Sequence, residues 1–476
     1  MSEADKTVKL SEKEQASRDF ILNGPMFKVI LKIGFPIAFF QLLNAVFWIF
    51  DSFMASSIDA TSVSAVVYFT QVNLIIGGLT GGLTTGAAIK ISQAYGKGEY
   101  GLVKKRISSL FAFGVVVCLI LFAIIVPTAI PILRLINTPE EFITYGWNFF
   151  LIGFINTSVG FMNGIYTALE AIQGNSKRIM KINLIATCLR AAFTAFSVYV
   201  LQLGLTSIAI SALLAQLFIM SCGWYNLRGK SDVFTISFAD ISFKGALLWP
   251  MISISIPIMI ERSLFHIGKT VVNVMVTSYG PLVVGALGLS NIMCFFSMAP
   301  QIGFQDATIA VMSQNAGAKR FDRVIGAFKA ALALIFMQSV LFFIPSFLFA
   351  YQLTWFFAMD DPLFHYTIFS IFRFDVLSLV PLGIFAAVTA FLLGLGYTKV
   401  TLLLNICRLF IFRIPVLWLL QNFTNMGDYA VGMMMSFSNI GVSVLGAIVC
   451  GYYIFKLCKK EEISFFKINA NQAIRS

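Results

Sequence analysis

The chain carries its own layout twice. Ser92-Gln93-Ala94-Tyr95-Gly96-Lys97-Gly98-Glu99-Tyr100 closes one long apolar stretch, and Ser313-Gln314-Asn315-Ala316-Gly317-Ala318-Lys319-Arg320-Phe321 closes another. Pro36 and Pro257, Asn137-Thr138-Pro139 and Met359-Asp360-Asp361, Gly174-Asn175-Ser176-Lys177 and Gly396-Tyr397-Thr398-Lys399, and Asn183 and Asn405 recur at nearly the same offset. A repeat this long is no solenoid unit. In an apolar chain, one bundle built twice is the arrangement from which alternating-access transporters are made.

The solvent follows from composition. Of 476 residues, 58% are hydrophobic and 12% charged, against roughly 25% charged in soluble domains, so the surface cannot face water everywhere. Segments near 33–56, 63–90, 107–130, 147–172, 180–203, 205–226, 246–278, 282–312, 325–350, 364–393, 401–421 and 430–456 each supply the roughly 20 residues that cross a bilayer. Long apolar runs without strand-like alternation exclude a barrel. The expectation is an all-α integral membrane protein of about twelve transmembrane helices in two six-helix lobes. Its parts are a tail over 1–28, an N-lobe over 29–228, a linker over 229–244, a C-lobe over 245–456 and a tail over 457–476.

The net charge of +12 does not imply nucleic acid, because its distribution is that of a membrane protein. Lys97, Lys104, Lys105 and Arg106; Lys177, Arg178 and Lys181; Arg228, Lys230 and Lys244; Lys319, Arg320 and Arg323; and Lys456, Lys459 and Lys460 fall in alternate loops or the C-terminal tail. The other loops hold Asp59, Glu140, Glu141, Asp360, Asp361 and Asp428, with Arg134 as their one clear base. The positive-inside rule therefore expects both termini in the cytoplasm, in a multi-pass protein of the plasma (inner) membrane. The mixed-charge stretch 1–24 has no apolar core and reads as a tail rather than a cleaved signal.

Several functions are excluded by what the chain lacks. Its seven cysteines have no paired spacing, so neither a disulfide frame nor a metal site is expected. No phosphate-binding loop occurs, since Gly394-Leu395-Gly396-Tyr397-Thr398-Lys399 has the wrong spacing. With only two histidines and no nucleophile–base motif, catalysis is not expected either.

On these motifs the chain resembles the multidrug and toxic-compound extrusion (MATE) family. The matching stretches are Gly34-Phe35-Pro36 followed by Phe50-Asp51-Ser52, Gln93-Ala94-Tyr95-Gly96, Leu133 to Glu141, Gly174-Asn175-Ser176-Lys177, Gln314-Asn315-Ala316-Gly317-Ala318, and Arg408 seven residues before Pro415. The resemblance covers essentially 28–456. It implies two lobes related by pseudo-twofold symmetry, a cleft open to one side at a time, and export of organic compounds against protons or sodium ions. No cofactor beyond the coupling ion is expected. The expected partners are the lipid bilayer and a small organic substrate, with the monomer as the working form.

Gly96 and Gly317 are expected where a helix leaves the membrane and the chain turns. Gly77-Gly78, Gly81-Gly82 and Gly86 read as close helix packing through small-x-x-x-small spacing rather than an ion-coordinating break.

Ionisable groups inside hydrocarbon are costly and so are candidate functional residues. Gln41, Asn44, Trp48 and Asp51 fall at three- and four-residue spacing, a polar seam ending in a carboxylate. The resemblance assigns ion coupling to the Asp51 position. The family's proton-coupled branch usually has Asn and Asp about 16 and 20 residues past the loop glycine. Counted from Gly174, those places hold Arg190 and Thr194, so Arg190 is either a partner of Asp51 or a structural lock. Arg262, His266, Lys269 and Asn273 lie within about 60° of one another on a helix. They are expected to line the cleft or to face Glu261, Asp306 or Asp375. Glu261, where relatives often carry glutamine, is the candidate C-lobe proton site.

Ser290, Ser297, Gln301, Gln305 and Thr308 form a neutral seam that either meets substrate or glues helices together. Phe39, Phe40, Phe47, Phe265, Phe295 and Phe296 are candidate apolar walls. Arg373 and Arg408 read as anchors, with Arg413 and Asp375 unassigned. The expected function is export of amphipathic drugs or toxic metabolites by a secondary antiporter. The alternatives are a flippase or exporter of an anionic lipid-linked or peptide-like compound, and a transport-inactive scaffold or receptor.

Overall fold

The computed structural model describes residues 10–56, 60–135, 140–201, 204, 206–228, 233–358 and 361–465. The side chains of residues 48, 51–56, 60–72, 132, 133, 135, 141, 142, 144 and 145 lie outside that description. The described residues form helices joined by short turns, apart from the linker before Gly245, of which 233–244 are described. In chain order they are α1 (Glu12–Asn23), α2 (Met26–Ser56), α3 (Ala60–Lys97), α4 (Tyr100–Leu135), α5 (Glu140–Ile172), α6 (Ser176–Ala195), α7 (Thr206–Leu227) and α8 (Gly245–Val276). There follow α9 (Pro281–Gly317), α10 (Phe321–Leu348), α11 (Ala350–Phe357), α12 (Pro362–Val376), α13 (Leu379–Gly394), α14 (Thr398–Phe410), α15 (Ile414–Phe423) and α16 (Tyr429–Lys460). Among the described residues, eleven helical spans are long and apolar enough to cross a membrane, and α12 with α13 makes a twelfth, bent by 45°. A helix satisfies its own backbone polar groups, which is what lipid demands of a spanning segment.

The duplication extends to individual hydrogen bonds. Glu99 N–H donates to the Ala94 carbonyl and Gly98 N–H to Tyr95; Arg320 N–H donates to Asn315 and Lys319 N–H to Ala316. The second loop pair repeats the pattern, with Asn175 to Glu170 and Gly174 to Ala171 matched by Tyr397 to Leu392 and Gly396 to Leu393. Each is the Schellman turn that caps the last carbonyls of a helix. Its left-handed residue is Gly98 (φ 81°), Lys319 (φ 58°), Gly174 (φ 77°) or Gly396 (φ 85°). The turn expected at Gly96 and Gly317 therefore falls two residues later, and both of those glycines remain helical.

The glycine ridge of α3 does what its spacing suggests. A Cβ built on Gly82 would lie 2.5 Å from the Met259 backbone nitrogen, and one on Gly86 would lie 2.6 Å from the Ser255 Cα. One on Gly78 would lie 3.0 Å from the Ser263 nitrogen. Backbones of α3 and α8 thus meet directly, and the Ser255 and Ser263 hydroxyls donate across the seam to the Leu83 and Ile75 carbonyls at 3.2 Å. The second repeat has the equivalent pair. A Cβ on Gly303 of α9 would lie 2.4 Å from the Ala38 nitrogen of α2.

These contacts explain the two compact units. One comprises Met1–Arg18 and Val46–Ser263, the other Asp19–Ala45 and Leu264–Ser476. The units do not follow chain order, because each glycine ridge takes its partner helix from the opposite repeat. In the first unit, Phe149, Phe150, Val198, Ile208 and Ala209 form a buried cluster. In the same unit, Ser237 and Ser242 donate backbone N–H to the Ser108 and Ser109 hydroxyls, which holds the described part of the linker against α4. In the second unit the core gathers Val272, Leu287, Ile368, Phe372, Leu379, Leu417 and Met434. The two halves of α1 divide likewise. Arg18 donates to the Tyr95 and Gly96 carbonyls in the first unit, while Arg323 donates to Ile21 and Gly24 and Arg320 to Leu22 in the second.

Candidate functional site

The basic stripe of α8 does not act as one surface. Arg262 lies across the glycine ridge, where its Nη2 donates to the Thr85 hydroxyl at 3.0 Å and its Nη1 sits 2.7 Å from the position a Gly81 Cβ would take. Gly81 is what admits the guanidinium. His266 packs edge-on to Phe265 with ring centroids 6.2 Å apart, and Asn273 is exposed. Glu261, on the same helix, is partly buried. Lys269 goes elsewhere, with its ammonium 5.4 Å from the Phe265 ring centroid.

Phe265 is shared. The Arg408 guanidinium carbon lies 4.9 Å from its ring centroid and that of Arg413 5.9 Å, within range of a cation–π attraction. Arg413 is 1% exposed, Asp375 2%, Arg408 8% and Asn439 2%, so the group is deep inside the second unit. The Asn439 amide oxygen accepts from Arg408 Nη2 at 2.6 Å, Arg408 Nε at 3.2 Å and Arg413 Nη2 at 2.9 Å. The Asn439 amide nitrogen donates to the Ser378 hydroxyl at 2.9 Å. Arg413 Nε donates to Ser438, whose hydroxyl donates on to the Arg408 carbonyl. Asp375 accepts from Ser290 and Ser378 at 3.4 Å and feels the charges of Lys269, Arg408 and Arg413.

The neutral seam of α9 divides. Ser290 joins Asp375, whereas Gln301 donates to the Ser339 hydroxyl and the Leu379 carbonyl, and the Ser297 carbonyl accepts from Gln338. Gln301 and Ser297 thus act as glue between helices. Gln305 is partly buried, as are Gln41 and Asn44 on α2 and Arg190 on α6. Trp48 and Asp51 lie on α2, but their side chains are outside the description, so the proposed pairing of Asp51 with Arg190 falls there too. Arg373 is exposed and stacks 5.0 Å over Phe374, as an anchor would.

A second buried charge escaped the sequence reading. Glu170 of α5 is fully buried and pairs with Arg178 of α6 at 2.9 Å. Arg178 lines a polar cavity together with Ser11, Glu14, Gln173, Asn175 and Asn226. The available signal was a lone glutamate ending the apolar run of α5, eight residues before an arginine across the Gly174 turn.

The profile of the MatE family matches residues 36–196 and again 257–419, one copy in each repeat. The probable multidrug resistance protein YoeA of Bacillus subtilis is 22% identical over 409 residues, covering 84% of this chain and 87% of that protein. Among solved structures, the outward-facing conformation of a multidrug resistance MATE family transporter of the MOP superfamily superimposes with a TM-score of 0.87. The match is 18% identical and covers 95% of this chain and all of that one. A MOP superfamily transporter from Pyrococcus furiosus, for which reverse polarity of the binding pocket suggests a different function, gives 0.88 at 18% identity, covering 94% of this chain and 100% of that chain.

Proposed function

The chain belongs to the MatE family of membrane transporters, and from that premise we propose that it is a secondary antiporter. It exports amphipathic organic compounds by alternating access in exchange for protons or sodium ions. The observation that carries this reading is the exchange of helix segments between two repeats, each closed on a backbone-to-backbone glycine seam. Such a seam lets a unit move as one rigid body, which alternating access requires. The name of the Bacillus subtilis relative, a probable multidrug resistance protein, points the same way.

In this reading Asp51 carries the coupling ion with Arg190 as its partner, and Glu261 is a second site for a proton. The substrate meets Gln41, Asn44, His266 and Gln305 of α2, α8 and α9 in the second unit. Both termini face the cytoplasm of a cell whose plasma membrane holds the protein.

Reconstitution tests it. Proteoliposomes loaded with a permanent organic cation should release or accumulate it in step with an imposed proton or sodium gradient, and an ionophore that collapses the gradient should stop the flux. Flux indifferent to both gradients would overturn the antiporter reading, and a protein with no flux of any kind would be a scaffold or receptor. Export or flipping of an anionic compound is a second reading, favoured by the gathering of Lys269, Arg408 and Arg413 around a single carboxylate.

A further inference from the structure

Two membrane spans of the second unit are interrupted, and the interruptions come together. The α12–α13 pair bends by 45° at Leu377 and Ser378, and α14 gives way to α15 across Ile411, Phe412 and Arg413. A proline follows each break. Pro381 and Pro415 have no N–H to offer the carbonyls four residues earlier, those of Leu377 and Ile411. Interrupted helices are tolerated at membrane depth where they are buried in protein or line a cavity, and they mark binding sites in transporters. Asp375 and Ser378 stand at one break, Arg408 and Arg413 at the other, and Asn439 of α16 hydrogen-bonds to both sides.

The charges there do not balance. Lys269, Arg408, Arg413 and Asp375 are within electrostatic range of one another, which leaves two positive charges uncompensated. Among the described residues, no carboxylate oxygen approaches any of the three cations within the 4.0 Å of an ion pair. The two guanidiniums instead share one neutral amide oxygen, with the Ser438 hydroxyl as a further acceptor for Arg413. Asn439 and Ser438 fix both arginines in place before any ligand arrives. Lys269 is the least buried of the three cations. A purely structural network would bring the carboxylate onto the cations, since a buried ion pair is tolerable only with close geometry and further hydrogen bonds.

We propose that Arg408, Arg413 and Lys269 form an oxyanion site that takes the carboxylate or phosphate group of an amphipathic ligand. Paired guanidinium forks match two oxygens of such a group, which a lone ammonium cannot do. The face of Phe265 supplies an apolar surface beside them. That this ligand is the transported substrate rests on the transporter reading above, whereas the binding itself does not.

The experiment is calorimetric titration of the full chain in phosphatidylcholine nanodiscs with phenyl phosphate and with benzoate. A permanent organic cation serves as control. Wild-type protein should bind at least one anion, and whichever binds identifies the group. Loss of that binding when phosphatidylglycerol is added to the discs, with Lys269→Gln weakening it in the phosphatidylcholine discs, would support the site with a lipid headgroup as occupant. Lys269→Gln should weaken binding about tenfold, the equivalent of ~1.4 kcal/mol, and Lys269→Arg should restore most of it. Because Lys269 is partly exposed, these variants should melt near the wild-type temperature, and that measurement accompanies each titration. Failure of the wild type to bind either anion, or Lys269→Gln binding as tightly as wild type, overturns the site. Gradient-driven cation transport by a protein that binds neither anion would remove the site and leave the antiporter standing. Lys269-dependent anion binding by a protein that transports nothing would do the reverse.

Discussion

The sharpest prediction concerns Gly82, because its surroundings allow a magnitude. In Gly82→Ala the new methyl would lie 2.5 Å from the Met259 nitrogen, 2.6 Å from its Cα and 2.8 Å from its Cγ, where ordinary contact begins at 3.4 Å. Two of these atoms belong to the backbone of α8, so no side-chain rotation relieves the clash, and the helices must part by about 0.9 Å. A gap of that order forfeits roughly a quarter to a half of the dispersion energy along the seam, including the contacts at Gly78 and Gly86. Overpacking of this kind costs about 2–3 kcal/mol, against which alanine gains ~1 kcal/mol in helix preference. Gly77 is the internal control, since nothing lies within 4 Å of its Cβ position, and Gly77→Ala should be neutral or stabilising by up to ~1 kcal/mol. Gly81→Ala should fall between the two, because the atom it meets is the movable end of Arg262. Thermal unfolding of the purified protein, followed by tryptophan fluorescence, should rank the variants Gly77→Ala, Gly81→Ala, Gly82→Ala from most to least stable. Gly82→Ala melting at or above Gly77→Ala would refute the backbone seam and the rigid unit inferred from it.

Three further outcomes are expected. Asn439→Ala should cost about 3 kcal/mol, since two buried guanidiniums lose their common acceptor. Asn439→Asp should restore stability by accepting the same N–H groups and cancelling one surplus charge, and chemical unfolding of both variants checks it. Arg178→Ala should destabilise by about 2–3 kcal/mol. The uncompensated Glu170 is fully buried, but Arg178 is about a third exposed, which puts the loss at the low end for a broken buried pair; a lowered melting temperature that Glu170→Gln partly recovers in the double variant is the sign to look for. Asp51→Asn should insert and fold yet lose most gradient-driven transport, because a neutral amide neither exchanges a proton nor balances a cation. A well-expressed Asp51→Asn protein with wild-type flux would take this residue out of the mechanism.

Much of the architecture was legible because lipid leaves few choices. Span lengths follow from bilayer thickness, and the repeat shows as paired motifs that reappear as paired Schellman turns. The glycine ridge was legible because four-residue spacing puts Gly78, Gly82 and Gly86 on one line. What stayed hidden depends on which helix lies opposite. The stripe of Arg262, His266 and Lys269 satisfies helical periodicity, yet Arg262 turns to Thr85 and Lys269 to Phe265, a divergence no spacing encodes. Asn439 lies on a single serine- and glycine-bearing helix, and its importance appears only when the breaks of two other spans are folded against it. The turn placed at Gly96 and Gly317 was missed because helix ends are set by capping bonds, and Lys319 shows that a non-glycine residue can hold the left-handed position.

The exchange of helix segments bears on how this chain could have arisen and how it can be cut. A break in the linker after residue 228 leaves an N-terminal fragment whose α3 ridge has lost Met259 and Ser255, and a C-terminal fragment whose Gly303 has lost Ala38. Neither half could close its own seam, so each expressed alone should be degraded, while the two expressed together should assemble and survive. A freestanding ancestral half would have met the same need by lending its first helix to a second copy of itself. Fusion of two such genes would then have turned an association between molecules into one within a single chain.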